Sequence, residues 1–129
     1  PVSVSGISLG GWVTNLHRTY FNSADRYIPL LAGATLGDLF INSVYRKMAD
    51  QKVQENPDKV REILNFQGDF MKVSDDNVFP MLGLFDQYIS YERQKKCYES
   101  RNISILRKGH VTAMLAAGKL RDHILKYYS

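Results

Sequence analysis

The sequence predicts an all-α protein, a four- or five-helix bundle with a long C-terminal helix and a short extended N-terminal arm. Two observations support this prediction. Apolar residues recur at every third or fourth position along residues 101–128, which is the spacing of one face of a helix. Helix starts also stand out at residues 56–58 and 74–77, where capping side chains precede apolar stripes. We therefore predict a single helical domain over residues 1–129.

The predicted elements follow the hydrophobic spacing from the N-terminus onward. We expect residues 1–11 to form the extended arm or a short edge strand, because small polar and apolar residues alternate there until Gly10 and Gly11. From Trp12 the spacing becomes helical, so we assign residues 12–129 to the bundle. The predicted helices lie near residues 12–21, 36–54, 57–66, 78–97 and 101–128.

Residues 27–45 contain one charged side chain, Asp38, and leave two interpretations open. At about 1.5 Å per residue, residues 28–44 would reach about 26 Å, the lower limit for a membrane span. Tyrosines and basic residues flank the segment, as they do at membrane interfaces. Against a span, Asp38 is costly in a bilayer, and Thr35 with Asp38 makes a good start for a soluble helix. We favour the core helix.

The membrane interpretation implies a different kind of protein. A basic and aromatic stretch precedes the possible span, and charged helices follow it. In this outline the chain resembles small accessory subunits of mitochondrial inner-membrane complexes. The resemblance covers residues 12–65 and is architectural, without a specific motif, so it identifies no family. It implies a single-span accessory subunit of a membrane complex as an alternative.

The composition is that of an ordinary globular protein, with 44% apolar and 23% charged residues. The charge is uneven, because residues 90–129 hold nine basic and three acidic side chains, whereas residues 49–89 hold four and eight. The only cysteine, Cys97, can form no intrachain disulfide, and we expect no signal peptide after Pro1. We therefore expect an intracellular, reducing compartment, either cytoplasmic or organellar.

Catalytic motifs do not emerge from this interpretation of the sequence. Only four glutamates occur, and the three histidines do not match a metal-binding spacing. We expect neither a phosphate-binding loop nor a nucleophile elbow. Accordingly, we predict no catalytic residue, no cofactor, no metal and no enzymatic activity.

The apolar face of the C-terminal segment predicts a contact surface. Because alanines occupy its centre, another helix can approach closely, and we expect self-association or assembly into a larger complex. We expect His110 to be a packed histidine, with a pH-sensitive contact or a cofactor ligand as alternatives. The predicted interface residues are Ile103, Leu106, His110, Ala113, Ala117, Leu120, Ile124 and Tyr127.

A second candidate surface interleaves basic and aromatic residues over residues 88–108. Such a patch can neutralise the phosphates of nucleic acid or of lipid headgroups, or it can face the acidic residues 49–89. Its candidate residues are Arg93, Lys95, Lys96, Arg101, Arg107 and Lys108. We therefore predict a non-catalytic structural or adaptor protein with a protein partner, and a basic helical nucleic-acid-binding protein as a further alternative.

Overall fold

The structure, a computed structural model, describes residues 1–99 and 103–128 and has an α/β fold. Its strands are β1 (Ser3–Ile7), β2 (Arg26–Leu30), β3 (Met81–Gly83) and β4 (Ser104–Leu106). Its helices are α1 (Leu9–Tyr20), α2 (Leu36–Asn42), α3 (Gln51–Glu55), α4 (Pro57–Leu64), α5 (Gln67–Lys72), α6 (Tyr91–Cys97), α7 (His110–Met114) and α8 (Ala117–Tyr128). A 3₁₀ turn, Val44–Met48, follows α2. The strands form one parallel sheet in the order β1-β2-β3-β4.

Helices cover both faces of this sheet. Successive residues of a strand point to opposite faces, and Tyr27 and Ile28 of β2 accordingly join different core clusters. Tyr27 packs in a cluster with Trp12 of α1 and Phe70 of α5, whereas Ile28 packs in a cluster with Leu120 of α8. The sheet is therefore the middle layer of the fold, with α1, α5 and α6 on one face and α7 and α8 on the other.

The predicted all-α bundle is wrong, because strands occupy segments that were assigned to the arm and to helices. Residues 1–11 contain β1 and the start of α1, and residues 27–45 contain β2 and α2. From Tyr27 to Leu30 every residue is buried, since β2 is covered on both faces. A parallel strand buried in this way is continuously apolar, and a short buried helix has the same pattern in sequence.

The long C-terminal helix is also absent from the described residues. Residues 103–128 contain β4, α7 and α8, so the apolar residues at helical spacing come from one strand of the sheet and two helices packed on it. The predicted helix at residues 78–97 is divided in the same way, between β3 and α6. Among the described residues, no helix combines the length and the apolar character that crossing a membrane requires.

Candidate active site

Three polar side chains follow the carboxyl ends of three strands. Ser8 comes directly after β1, Asp86 lies three residues after β3, and His110 lies four residues after β4. The carboxyl ends of parallel strands meet at one edge of the sheet, which is where open α/β sheets carry their binding sites. The topology therefore brings these distant residues together.

Ser8 occupies a strained turn between β1 and α1. Its backbone has φ 52° and ψ −118°, a conformation that residues other than glycine rarely adopt. Two hydrogen bonds hold this turn, from the Ser8 N–H to the Leu30 carbonyl (2.9 Å) and from the Trp12 N–H to the Ser8 carbonyl (3.1 Å). The surrounding sheet and helix thus fix the Ser8 side chain at the edge of the sheet.

Close backbone packing makes this turn possible. A Cβ atom on Gly6 would lie 2.3 Å from the Gly10 carbonyl oxygen, and one on Gly11 would lie 2.7 Å from the Cβ of Ala32. A Cβ on Gly10 would meet no atom within 4 Å. The end of β1 and the start of α1 therefore touch at Gly6, with Ser8 at the apex, and residues 6–10 read Gly-Ile-Ser-Leu-Gly.

Substituting the two glycines of this turn should change stability by very different amounts. We expect Gly6→Ala to disrupt the turn, because its Cβ collides with backbone that cannot move aside, and to lower the free energy of unfolding by about 3 kcal/mol or more. Gly10→Ala meets open space in the first turn of α1 and should change stability by at most about 1 kcal/mol. Urea unfolding followed by circular dichroism measures both. Equal losses in the two variants would contradict the assigned packing.

His110 bridges the serine and a carboxylate. Its Nε2 lies 2.8 Å from Ser8 Oγ, and its Nδ1 lies 2.7 Å from Asp86 Oδ2. An ionised carboxylate can only accept hydrogen bonds, so Nδ1 carries the proton and Nε2 is left to accept the Ser8 hydroxyl. The imidazole is almost fully buried and stacks on Tyr88, with 4.5 Å between ring centroids. The ring is thus held in one orientation.

The surroundings of Asp86 keep its carboxyl group ionised beside His110. Burial raises the pKa of its carboxyl group, but hydrogen bonds from His110 and from the Ile89 and Tyr88 N–H groups outweigh burial and leave the pKa below its usual value. Oδ2 also accepts a hydrogen bond from Gln94 Nε2 at 3.3 Å. Asp86 is therefore a buried, fully oriented carboxylate at neutral pH.

The start of α1 offers a site for negative charge beside Ser8. Leu9 is the first residue of this helix, so its N–H has no acceptor within the helix. The twelve-residue helix also directs the positive end of its dipole towards Ser8. An oxyanion formed next to Ser8 would meet a backbone donor that is already in place.

A small apolar cavity of about 80 Å³ opens next to the serine. It is lined by Ser8 and Leu9 from the turn between β1 and α1, and by Leu39, Phe40 and Tyr45 from α2 and the 3₁₀ turn that follows it. Leu39 is buried, and Phe40 and Tyr45 contact each other edge to face with 6.5 Å between ring centroids. The site thus combines a polar row of Ser8, His110 and Asp86 with an apolar recess.

The predicted interface residues lie in β4, α7 and α8, except Ile103, which precedes β4. Leu106, Ala113 and Leu120 are buried in one core cluster, and Ile124 and Tyr127 pack beside them. Ile103 packs against the opposite core cluster, and Ala117 is exposed at the start of α8. His110, which we expected to be merely packed, contacts Ser8 and Asp86. A partner interface at these positions stays a prediction.

The predicted basic patch is divided between two regions. Arg93, Lys95 and Lys96 are exposed on α6, and Arg93 Nη1 lies 3.5 Å from Asp38 Oδ1. Arg107 and Lys108 are exposed after β4, and Arg101 lies outside the described residues. Binding of an anionic partner there stays a prediction.

Ser8 and Asp86 were not among the residues predicted from the sequence. The turn around Ser8 has a sequence signal, the Gly-x-Ser-x-Gly spacing of residues 6–10 after an alternating, strand-like stretch. The expectation of no nucleophile elbow did not take this spacing into account, because residues 1–11 were predicted to contain no helix start, whereas α1 begins at Leu9. Asp86 has no comparable signal, since only the fold brings it to His110.

No protein-family model, curated protein or solved structure matches the chain. Among the described residues, no group of three or more His, Cys, Asp or Glu side chains could hold a metal ion. Cys97 is buried, and burial raises the pKa of its thiol to about 11, so it does not provide a second nucleophile.

Proposed function

We propose that this protein is a serine hydrolase in which Ser8, His110 and Asp86 form the catalytic triad. The observation that supports this most directly is the continuous row of short contacts, 2.8 Å from Ser8 to His110 and 2.7 Å from His110 to Asp86. A nucleophile, a base and a residue that orients the base are the three parts that acyl transfer requires.

The setting of the serine favours one class of such enzymes. In α/β-hydrolases the nucleophile lies in a Gly-x-Ser-x-Gly turn between a strand and a helix, and the triad follows the chain order serine, acid, histidine. Here Ser8 has the same strand–turn–helix setting, and Asp86 precedes His110. We infer an esterase-like activity on a carbonyl substrate of this class.

The first half-reaction follows from the contacts. Ser8 Oγ attacks the carbonyl carbon of an ester while His110 Nε2 takes the hydroxyl proton. The resulting oxyanion binds the Leu9 N–H at the positive end of α1, and Asp86 stabilises the imidazolium. When the tetrahedral intermediate collapses, His110 donates its proton to the alcohol oxygen. The alcohol leaves, and the acyl group remains on Ser8.

The second half-reaction uses the same groups. His110 Nε2 removes a proton from a water molecule, whose oxygen attacks the acyl carbon. Collapse of this intermediate breaks the bond to Ser8 Oγ, and His110 returns its proton to the serine. The carboxylic acid is released, and the site returns to its starting state.

Covalent labelling tests the proposal without knowledge of the natural substrate. The full chain is incubated with a fluorophosphonate probe, in which an activated serine displaces fluoride, and the product is mapped by mass spectrometry. We expect one phosphonyl group on Ser8 and none on Ser5, whose hydroxyl donates to the Ile28 carbonyl at 2.8 Å. Heat-denatured protein should not react. Failure to label Ser8 in the folded chain would refute the proposal.

The non-catalytic adaptor role and its alternatives remain predictions from the sequence. The apolar face on which the adaptor role depends includes residues that pack within the chain itself, Leu106, Ala113 and Leu120. We therefore prefer the hydrolase, for which specific contacts can be named.

A further inference from the structure

We propose that the apolar cavity beside Ser8 is the acyl pocket and that it takes short, unbranched aliphatic acyl groups of about two to four carbons. The inference rests on the proposed hydrolase function. It adds the substrate class, and it identifies Phe40 as the residue that limits the length of the acyl chain.

The surface of the cavity is mostly apolar. Besides Ser8, it is lined by Leu9, Leu39, Phe40 and Tyr45. A polar substituent placed there would lose its hydrogen bonds with water, whereas burial of a methylene group is favourable. The cavity therefore favours an aliphatic chain.

The position of the cavity relative to His110 decides between the acyl and the alcohol side of an ester. The alcohol oxygen must lie next to His110 Nε2, because it receives the proton from that atom. Of the residues that the structure describes, those lining the cavity include Ser8 and Leu9 but not His110. The alcohol side thus faces His110, and the cavity receives the acyl chain.

The volume of the cavity limits the length of that chain. An apolar cavity of about 150 Å³ in another protein accommodates benzene, which has six carbon atoms. The cavity beside Ser8 has about 80 Å³, roughly half as much. An acetyl to butyryl group fits within this space, whereas an octanoyl chain would extend beyond it.

Phe40 is placed to set this limit. It lies on α2, half-buried, with its ring against that of Tyr45. Tyr45 in turn contacts Tyr88 edge to face, with 5.9 Å between ring centroids, and Tyr88 stacks on His110. Tyr45 and Tyr88 thus connect the cavity to His110, whereas Phe40 is joined to His110 only through them. Phe40 can therefore be substituted without removing a contact of the triad.

The experiment compares p-nitrophenyl acetate, butyrate and octanoate by kcat/KM. In the wild-type protein we expect kcat/KM to rise about fourfold per methylene from acetate to butyrate and to fall at least about tenfold at octanoate. Phe40→Ala should raise the octanoate-to-butyrate ratio at least about tenfold, and Phe40→Trp should lower butyrate relative to acetate. Phe21→Ala, which truncates an exposed phenylalanine after the far end of α1, serves as the matched control and should leave the ratios unchanged.

A second series keeps the butyryl group and varies the alcohol from methanol to octanol in a pH-stat assay. We expect kcat/KM to depend little on the length of the alcohol. If kcat/KM depended on alcohol length and not on acyl length, the assignment of the cavity to the acyl group would be overturned. Unchanged acyl ratios in both folded Phe40 variants would overturn the inference while Ser8 labelling still supported the hydrolase. Absence of both hydrolysis and Ser8 labelling would instead refute the proposed function.

Discussion

Replacing Ser8 by alanine should lower kcat/KM for p-nitrophenyl butyrate by about 10⁴- to 10⁶-fold, down to the rate of protein without a nucleophile. The loss is this large because the hydroxyl oxygen forms the covalent intermediate, and neither His110 nor the Leu9 N–H can replace it. Stopped-flow and steady-state release of p-nitrophenol measure the effect, and the burst of the wild-type protein should also disappear.

Two control variants make this loss interpretable. Ser5→Ala removes a hydroxyl of β1 that donates to the Ile28 carbonyl, and this variant should retain activity within about threefold. Ser8→Gly should be as inactive as Ser8→Ala yet more stable by about 1 kcal/mol, because glycine adopts the positive φ of this turn without strain. Activity retained in Ser8→Ala would assign the hydrolysis to another group.

The proposed chemistry gives a reason for the strained backbone of Ser8. A serine at φ 52° costs stability, and the hydrogen bonds of the Ser8 backbone to Leu30 and Trp12 offset that cost. In return, the hydroxyl is fixed within reach of His110 Nε2. Local rules of backbone preference therefore fail at this residue because its conformation serves the proposed chemistry.

Some helix boundaries could be predicted from the sequence, but the sheet could not. Helix α4 begins at Pro57, as the Asn-Pro-Asp start indicates, because capping chemistry is local. The strands β3 and β4 have three residues each, which is too few for a period-of-two pattern to show. Their neighbours in the chain supplied apolar residues at helical spacing by coincidence. Parallel pairing depends on contacts between distant segments, which no local pattern encodes.

The site was predictable to the same uneven extent. The Gly-x-Ser-x-Gly spacing around Ser8 is local and was available in the sequence, although it is meaningful only between a strand and a helix. The pairing of Asp86 with His110 depends on β3 and β4 being neighbours in the sheet. Residues 1–11 were predicted as an extended arm or a short edge strand without a helix start, so the strand–turn–helix setting of Ser8 was not expected.

Replacing Asp86 by asparagine should lower kcat for p-nitrophenyl butyrate by about 10⁴-fold with little change in KM. An asparagine amide can donate a hydrogen bond to His110 Nδ1, which moves the imidazole proton to Nε2. Nε2 then no longer accepts the Ser8 hydroxyl, although the packing of Tyr88 and Gln94 around the site is kept. Asp76→Asn, at an exposed aspartate, is the matched control and should be fully active.

The pH dependence of stability provides a readout that is independent of activity. Because the pKa of Asp86 is lower in the folded protein than the value of about 3.9 in an unfolded chain, its ionised carboxylate stabilises the fold above that pH. This contribution is lost as the pH falls through the lower, folded pKa. The difference in free energy of unfolding between wild type and Asp86→Asn should therefore be greatest at neutral pH and shrink below about pH 4. A difference that stays constant from pH 7 to pH 2.5 would show that Asp86 is not the charged partner of His110, because only an ionised carboxylate loses its contribution on protonation.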